Sequence, residues 1–193
     1  MDDERSFRTR LLDGLAASIA EQGYRTTTVA DIVRHARTSK RTFYSQFPDK
    51  EQCFIELLRA DHEQLLIAIR AAVDPEADWR AQIRQAVLAY IQHIGARPEI
   101  TLSWIRELPG LGAPVRDIQR SAMSGLTDLL VALSDSPGFR RGEIAPVRRE
   151  VAVILLGGLR ELTALTVEDG RPTESILEPA VTASEALLGA DRP

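Results

Sequence analysis

The chain has 193 residues, 44% hydrophobic and 27% charged, with a net charge of −4. Enough apolar material is present to bury a sizeable core, which excludes a disordered chain, and the longest apolar run, Val151 to Leu159, is too short to cross a bilayer. The opening MDDERSFRTR lacks the basic flank and apolar centre of a signal peptide, and the single cysteine, Cys53, cannot form an internal disulfide, so a cytoplasmic protein with no membrane partner is expected. The acidic balance is uneven. Residues 5–50 carry nine basic side chains (Arg5, Arg8, Arg10, Arg25, Arg34, Arg37, Lys40, Arg41, Lys50) against four acidic ones, a local excess of five that leaves −9 elsewhere. Such asymmetry points to a polyanion-binding end, with a solvated basic face as the alternative.

In chain order, apolar spacings of three and four predominate and period-2 alternation is absent, so the class expected is all-α. A first helix is expected from about Ser6 to Gln22, with Phe7, Leu11, Leu15 and Ile19 on one stripe and Gly23 as its stop. Thr28 and Asp31 fit a capping box for a short second helix ending near Ala36, with Thr27 as the competing N-cap. A third short helix spans Ser39 to about Gln46, and Phe43 and Phe47, four apart, share its inner face. Pro48 breaks the chain, Asp49 caps a long helix to about Val73, and DPEADW opens another to about Gly95. A short helix from Arg97 to Leu108, a loop from Pro109, and a helix from about Val115 to Leu133 follow. SDSPGFRRGEI reads as irregular, and the last two helices are expected at about Ala145 to Val167 and Ser175 to Leu188, with Pro179 near a first turn. That makes about nine helices in two domains, 1–48 and 49–193.

Two short helices joined by a tight turn, the second carrying basic residues, form the outline of a helix-turn-helix. The second helix must offer short polar and basic side chains to the major groove while an apolar inner face anchors it. Here Ser39, Lys40, Arg41, Thr42 and Tyr44 occupy the start and outer side. Hydroxyls and amides at a helix start suit phosphate oxygens, Lys40 or Arg41 suits guanine O6 and N7, and Thr42 suits a thymine methyl. Lys50, in the first turn of the next helix, is placed to touch the flanking backbone of the DNA.

The segment GYRTTTVADIVRHARTSKRTFYSQFPDKEQCF, Gly23 to Phe54, resembles the N-terminal helix-turn-helix of TetR-family transcriptional regulators. Thr27, Thr28, Val29, Ile32, Ala36, Ser39, Thr42, Phe43, Tyr44, Phe47, Lys50 and Glu51 match the family pattern at its spacing. Arg37 and Thr38 stand where that pattern has Gly-Val, so a residue tolerant of positive φ is lost in the turn, and Gln46 stands where histidine is common. The resemblance implies a three-helix DNA-binding domain followed by a helical-bundle regulatory domain, acting as a homodimer on a palindromic operator and released by a small-molecule effector. It places DNA contacts at Thr27, Thr28, Ser39, Lys40, Arg41, Thr42, Tyr44 and Lys50. It puts an effector among His62, Trp79, Tyr90, His93, Trp104 and Met123, although ordinary core is the competing reading at each. It puts the dimer contact at Leu155, Gly157, Gly158, Leu159, Leu162, Ala180, Ser184 and Leu187, packing within one subunit being the alternative. His35, His62 and His93 lie on different helices without ligand spacing, so no metal is expected, and no cofactor. A helical enzyme or carrier lacks any nucleophile–base or phosphate-loop signature, and a non-specific nucleoid-type DNA binder would not need so large a C-terminal domain.

Overall fold

The computed structural model describes residues 2–112 and 115–189, without the side chains of residues 2–6. Arg5 of the basic segment and part of the loop expected from Pro109 therefore lie outside the described residues. Among the described residues the chain forms ten α-helices and no strand, in keeping with the all-α expectation. They are α1 (Asp2–Gln22), α2 (Val29–His35), α3 (Lys40–Gln46), α4 (Lys50–Ala72), α5 (Trp79–Ala96), α6 (Pro98–Leu102), α7 (Arg116–Leu133), α8 (Pro137–Arg141), α9 (Arg149–Glu168) and α10 (Leu177–Leu188). α6 runs on through a π-helical turn, Ser103–Glu107, and a 3-10 turn, Leu108–Leu111.

Three boundaries depart from the sequence reading for local reasons. The segment read as irregular contains α8, because Ser136 caps the Phe139 amide and Pro137 occupies the first turn. α9 starts at Arg149 instead of near Ala145, since Pro146 keeps its predecessor out of helix. The freed stretch buries Ile144 and Val147, and the Val147 amide donates to Ser134 Oγ at 2.9 Å. Pro179 is the third residue of α10, where a missing N–H costs the helix nothing.

The helices divide into two compact units, Met1–Asp61 with Glu99–Val115, and His62–Pro98 with Arg116–Pro193. The sequence division at residue 48 marks the proline break, whereas the compact units divide within α4.

In the first unit, Leu11, Leu15, Ile19, Ile32, Phe43, Phe47, Phe54 and Leu58 are fully or almost fully buried and form the core. α1 and α2 cross so closely at Gly14 that a Cβ there would lie 2.6 Å from the Ile32 carbonyl oxygen. In the second unit, α5 packs against α10, and α7 against α9. Trp79, Ile83, Ile91, Ile94, Phe139 and Ile176 lie at the centre of its larger apolar cluster. The buried Gln82 amide donates to the Pro75 and Ala77 carbonyls and accepts from Ser136, which ties the loop before α5 to α8.

The turn between α2 and α3 is a Schellman motif: the Arg37 amide donates to Arg34 O and the Thr38 amide to Val33 O. The residue at its left-handed position is Arg37, with φ of +50°, where glycine is favoured. The expected mismatch in the turn is therefore present as left-handed backbone, which for an L side chain costs about 1–2 kcal/mol. Replacing Arg37 with glycine removes that strain but frees the unfolded chain by about 0.5–1 kcal/mol, so a net gain of up to about 1.5 kcal/mol is expected. Arg37→Val, β-branched and hence less tolerant, should lose more than about 1 kcal/mol. Urea denaturation of the two variants checks the opposite signs.

Candidate nucleic-acid interface and helical cavity

α3 is seven residues long and gains its rigidity from its surroundings. Ser39 is the N-cap, its hydroxyl accepting from the Thr42 amide at 3.1 Å, and the Thr42 hydroxyl lies 3.0 Å from the Ser39 hydroxyl. Phe43 and Phe47 are buried beneath it, at 5.8 Å between ring centroids. Lys40, Arg41, Tyr44 and Ser45 face outward, and Tyr44 is 58% exposed with its ring edge-on to Phe43. The apolar anchor and the polar outer face expected of a groove-entering helix are therefore on opposite sides of α3.

Two arginines of α1 finish the two short helices that follow it. Arg10 donates to the carbonyls of Ala36, at 2.6 and 3.1 Å, and of Arg37, at 2.7 Å, at the end of α2. Arg8 donates to the Gln46 carbonyl, at 2.8 Å, at the end of α3. It also makes a two-pronged ion pair with Glu56 of α4 and lies over the Phe47 ring. A cation on the last carbonyls of a helix satisfies orphan acceptors and opposes the negative end of the helix dipole. Both arginines were counted in the basic excess from sequence; nothing in their spacing marks them as inward-facing.

Two of the anticipated DNA contacts have internal tasks. Thr27 is 2% exposed, and its hydroxyl donates to the Gly23 carbonyl and meets Ser18. Thr28 is the N-cap that sequence favoured. Its capping box with Asp31 is complete, and the bonds from Thr28 hold the Asp31 carboxyl down at about 2. Lys50 is drawn inward too. Its ammonium donates to the Tyr24 carbonyl at 2.9 Å and the Thr27 carbonyl at 2.8 Å, and lies over the Tyr24 ring. Burial lowers its pKa, only partly countered by Glu107. Tyr24 is stacked on Phe54 at 3.8 Å, and burial pushes its phenol up to about 12.

Elsewhere in the basic segment, Arg25 pairs with Glu107, and Arg34 lies 3.6 Å from both Glu21 and Asp31. Of the eight described basic side chains in residues 5–50, Arg37, Lys40 and Arg41 are those without a side-chain partner among the described residues. They occupy the turn and the first residues of α3. Cys53 is fully buried, and burial drives its thiol up to about 12, so it is protonated and unreactive.

The second unit holds an apolar cavity between its helices. It is lined by α4 (Ile69), α5 (Ile83, Ala86, Val87, Tyr90), α7 (Leu126, Leu129, Leu130, Leu133), α9 (Leu155, Leu156, Leu159) and α10 (Ser184, Leu188). Its volume is about 80 Å³. Among the residues expected for an effector, Tyr90 is in this wall. Trp79 is core, 3% exposed with Arg80 over its ring, while Trp104 belongs to the π-helical turn of the first unit. His62, His93 and Met123 are not in the wall.

The residues expected at a dimer contact separate into two faces. Leu155, Leu159 and Ser184 line the cavity, Ala180 is buried, and Leu162 packs on the larger cluster, so these five face into their own subunit. Gly157 and Gly158 are exposed, and a Cβ at either would meet nothing within 4 Å. They continue a surface stripe with Ile154, 66% exposed, and Leu165, 45% exposed, while Leu187 is exposed on α10. Sequence missed Ile154 and Leu165, although their spacing from Gly158, four before and seven after, is helical.

The position of Lys50 has a measurable consequence. Lys50→Met keeps much of the stem but leaves two carbonyls without their donor, so stability should fall by about 1–3 kcal/mol. A urea midpoint equal to that of the parent protein would mean that this ammonium is not holding the loop.

The profile described as "Bacterial regulatory proteins, tetR family" matches residues 11–57. The HTH-type transcriptional repressor KstR2 of Rhodococcus jostii (strain RHA1) is 36% identical over 89 residues, covering 46% of this chain and 44% of the relative. The chain thus spans under half the length of that curated relative in the matched stretch. The uncharacterized HTH-type transcriptional regulator YhgD of Bacillus subtilis (strain 168) is 22% identical over 148 residues, 76% of each chain. In fold, the fatty acid degradation regulator FadR from Bacillus halodurans is similar at a TM-score of 0.78 and 21% identity, covering 96% of both chains. FadR from Bacillus subtilis, solved in complex with stearoyl-CoA, is similar at 0.77 and 18% identity, covering 93% of this chain and 97% of the other. The matched segment ends within α4 and contains α2, α3 and the Schellman turn, so residues 11–57 match the helix-turn-helix segment of the tetR family of bacterial regulatory proteins, and the similar folds extend over nearly the whole chain.

Proposed function

We propose that the protein is a sequence-specific, DNA-binding transcriptional regulator that acts as a homodimer and leaves its operator when a small molecule fills the cavity of the second unit. The observation that carries this reading is the selection among cations. Internal pairing occupies the other described basic side chains of residues 5–50, and Arg37, Lys40 and Arg41 remain at the turn and the start of α3, beside the exposed Tyr44. A helix start with two free cations fits a major groove and its flanking phosphates. The relatives named as transcriptional repressors support repression as the sign of control. A protein of the same fold in complex with stearoyl-CoA supports a small molecule with an apolar chain as the effector.

Dimerisation follows from reach. Two recognition helices must sit about 34–36 Å apart to meet successive major grooves, and the stripe of Ile154, Gly157, Gly158 and Leu165 on α9 offers an apolar, closely approachable face for a second copy. A ligand shifts this equilibrium only by its differential affinity for the DNA-binding and released arrangements.

DNA selected from a random pool and titrated at two salt concentrations tests the whole reading. Affinity for selected over random sequence is expected, whereas equal affinity would indicate a nucleoid-type binder and none a helical carrier or enzyme. Arg41→Ala should weaken the selected site by about 1–3 kcal/mol, and unchanged affinity would remove α3 from the groove. For the dimer, Gly158→Arg is informative because the subunit has open space there. The variant should keep its helical circular dichroism, sediment as a monomer and lose operator affinity. A variant that remains dimeric would place the contact elsewhere.

A further inference from the structure

Arg37 gains nothing from the fold around it. Its φ of +50° lies in the left-handed region, where glycine or asparagine would sit with less strain. Both of its backbone groups are engaged: the amide donates to Arg34 O at 3.3 Å, and the carbonyl accepts from Arg10 at 2.7 Å. Its side chain is exposed and makes no hydrogen bond, ion pair or ring contact among the described residues. The strain is therefore not offset inside the subunit. Solubility does not ask for this charge either, since the chain already carries a net charge of −4.

We infer that Arg37 is a phosphate-binding side chain, which positions α3 on DNA without reading its sequence. This rests on the proposed DNA-binding function and assigns one contact within it. Lys40 lies three residues further on, so its Cα is at most about 10–11 Å from that of Arg37. The major groove is about 12 Å wide, so with Lys40 and Arg41 at base edges, Arg37 comes to the rim, where the phosphates run. The Schellman bonds and Arg10 fix the direction in which its side chain leaves the turn. A guanidinium there offers charge and donors that any phosphate accepts, so its contact strengthens binding to every sequence alike. Arg34, three residues before, is instead drawn toward Glu21 and Asp31, each 3.6 Å away.

Arg37→Gly tests this on the full chain, because that variant is expected to be the more stable one and a loss of binding is then not a loss of fold. Fluorescence anisotropy across a salt series gives its affinity for a selected duplex and for a random one. For each copy bound, the slope of log affinity against log salt should fall in magnitude by about 0.9, which at about 0.1 M salt is roughly eight-fold weaker binding. The loss should be equal on both duplexes and leave the selected-to-random ratio unchanged, whereas Arg41→Ala should lower that ratio. Arg37→Gln, which keeps the strain and drops the charge, should match the glycine variant, and Arg37→Lys should match the parent slope. An unchanged slope in the glycine and glutamine variants would overturn the contact, and so would a loss confined to the selected duplex. A parent protein that holds selected DNA while these variants bind as it does refutes this contact alone. One that holds no DNA refutes the regulator and the contact together.

Discussion

The helix-turn-helix depends on two guanidinium groups from the helix behind it. Helices of seven residues are far below the length at which helical structure is stable alone, so α2 and α3 must be held by what surrounds them. Apolar contact through Ile32, Phe43 and Phe47 supplies most of that hold, but it is non-directional and does not fix the ends. Arg10 and Arg8 do, each on the last carbonyls of one short helix, and Lys50 does the same for the loop that leads into α2. Arg8 adds a second constraint because the same guanidinium pairs with Glu56, fixing the end of α3 to α4. The internal use of these cations also defines the surface, because each charge directed at a carbonyl is one fewer available to phosphate.

α9 shows how one apolar helix can serve two purposes. Its Leu155, Leu156 and Leu159 close one side of the cavity, while Ile154, Gly157, Gly158 and Leu165 lie outward. Paired mid-helix glycines each cost about 0.5–1 kcal/mol relative to alanine, and no contact inside the subunit recovers that cost at either position. In the proposed dimer a close partner surface would offset that cost. Because the two faces share a backbone, a ligand pressing on Leu155 and Leu159 would act on the same helix that carries the proposed dimer contact.

Much of the first unit was legible in the sequence because its signals are local. The Thr28–Asp31 capping box, the Phe43–Phe47 spacing and the glycine stop at Gly23 each specify geometry within a few residues, and each appears as read. The cavity was less legible for the opposite reason. VAVILLGGL is apolar on every side, so periodicity cannot say which leucines face in, and Leu155, Leu159 and Ser184 were assigned outward when they line the wall. Trp79 fits either a pocket or a core by composition, and only its packing against Phe139 and the core cluster decides. Arg8 and Arg10 sit two apart on α1 and have different targets, which no one-dimensional pattern encodes. The helix at Pro137 is the instructive miss, because Ser-Pro before it was a legible start signal hidden in a segment dominated by turn residues.

The charge distribution carries the final step. The chain outside residues 5–50 has a net charge of −9, so most of its surface repels a polyanion. Such repulsion extends about one Debye length, some 8–10 Å at physiological salt, and acts on any approach not led by the basic end. Arg37, Lys40 and Arg41 then attract at short range. With so few free cations, counterion release would supply only a modest share of the affinity in the proposed DNA contact, and base contacts and a second copy would supply the rest. An acidic chain with three free cations at the turn and start of α3 thus disfavours non-specific binding.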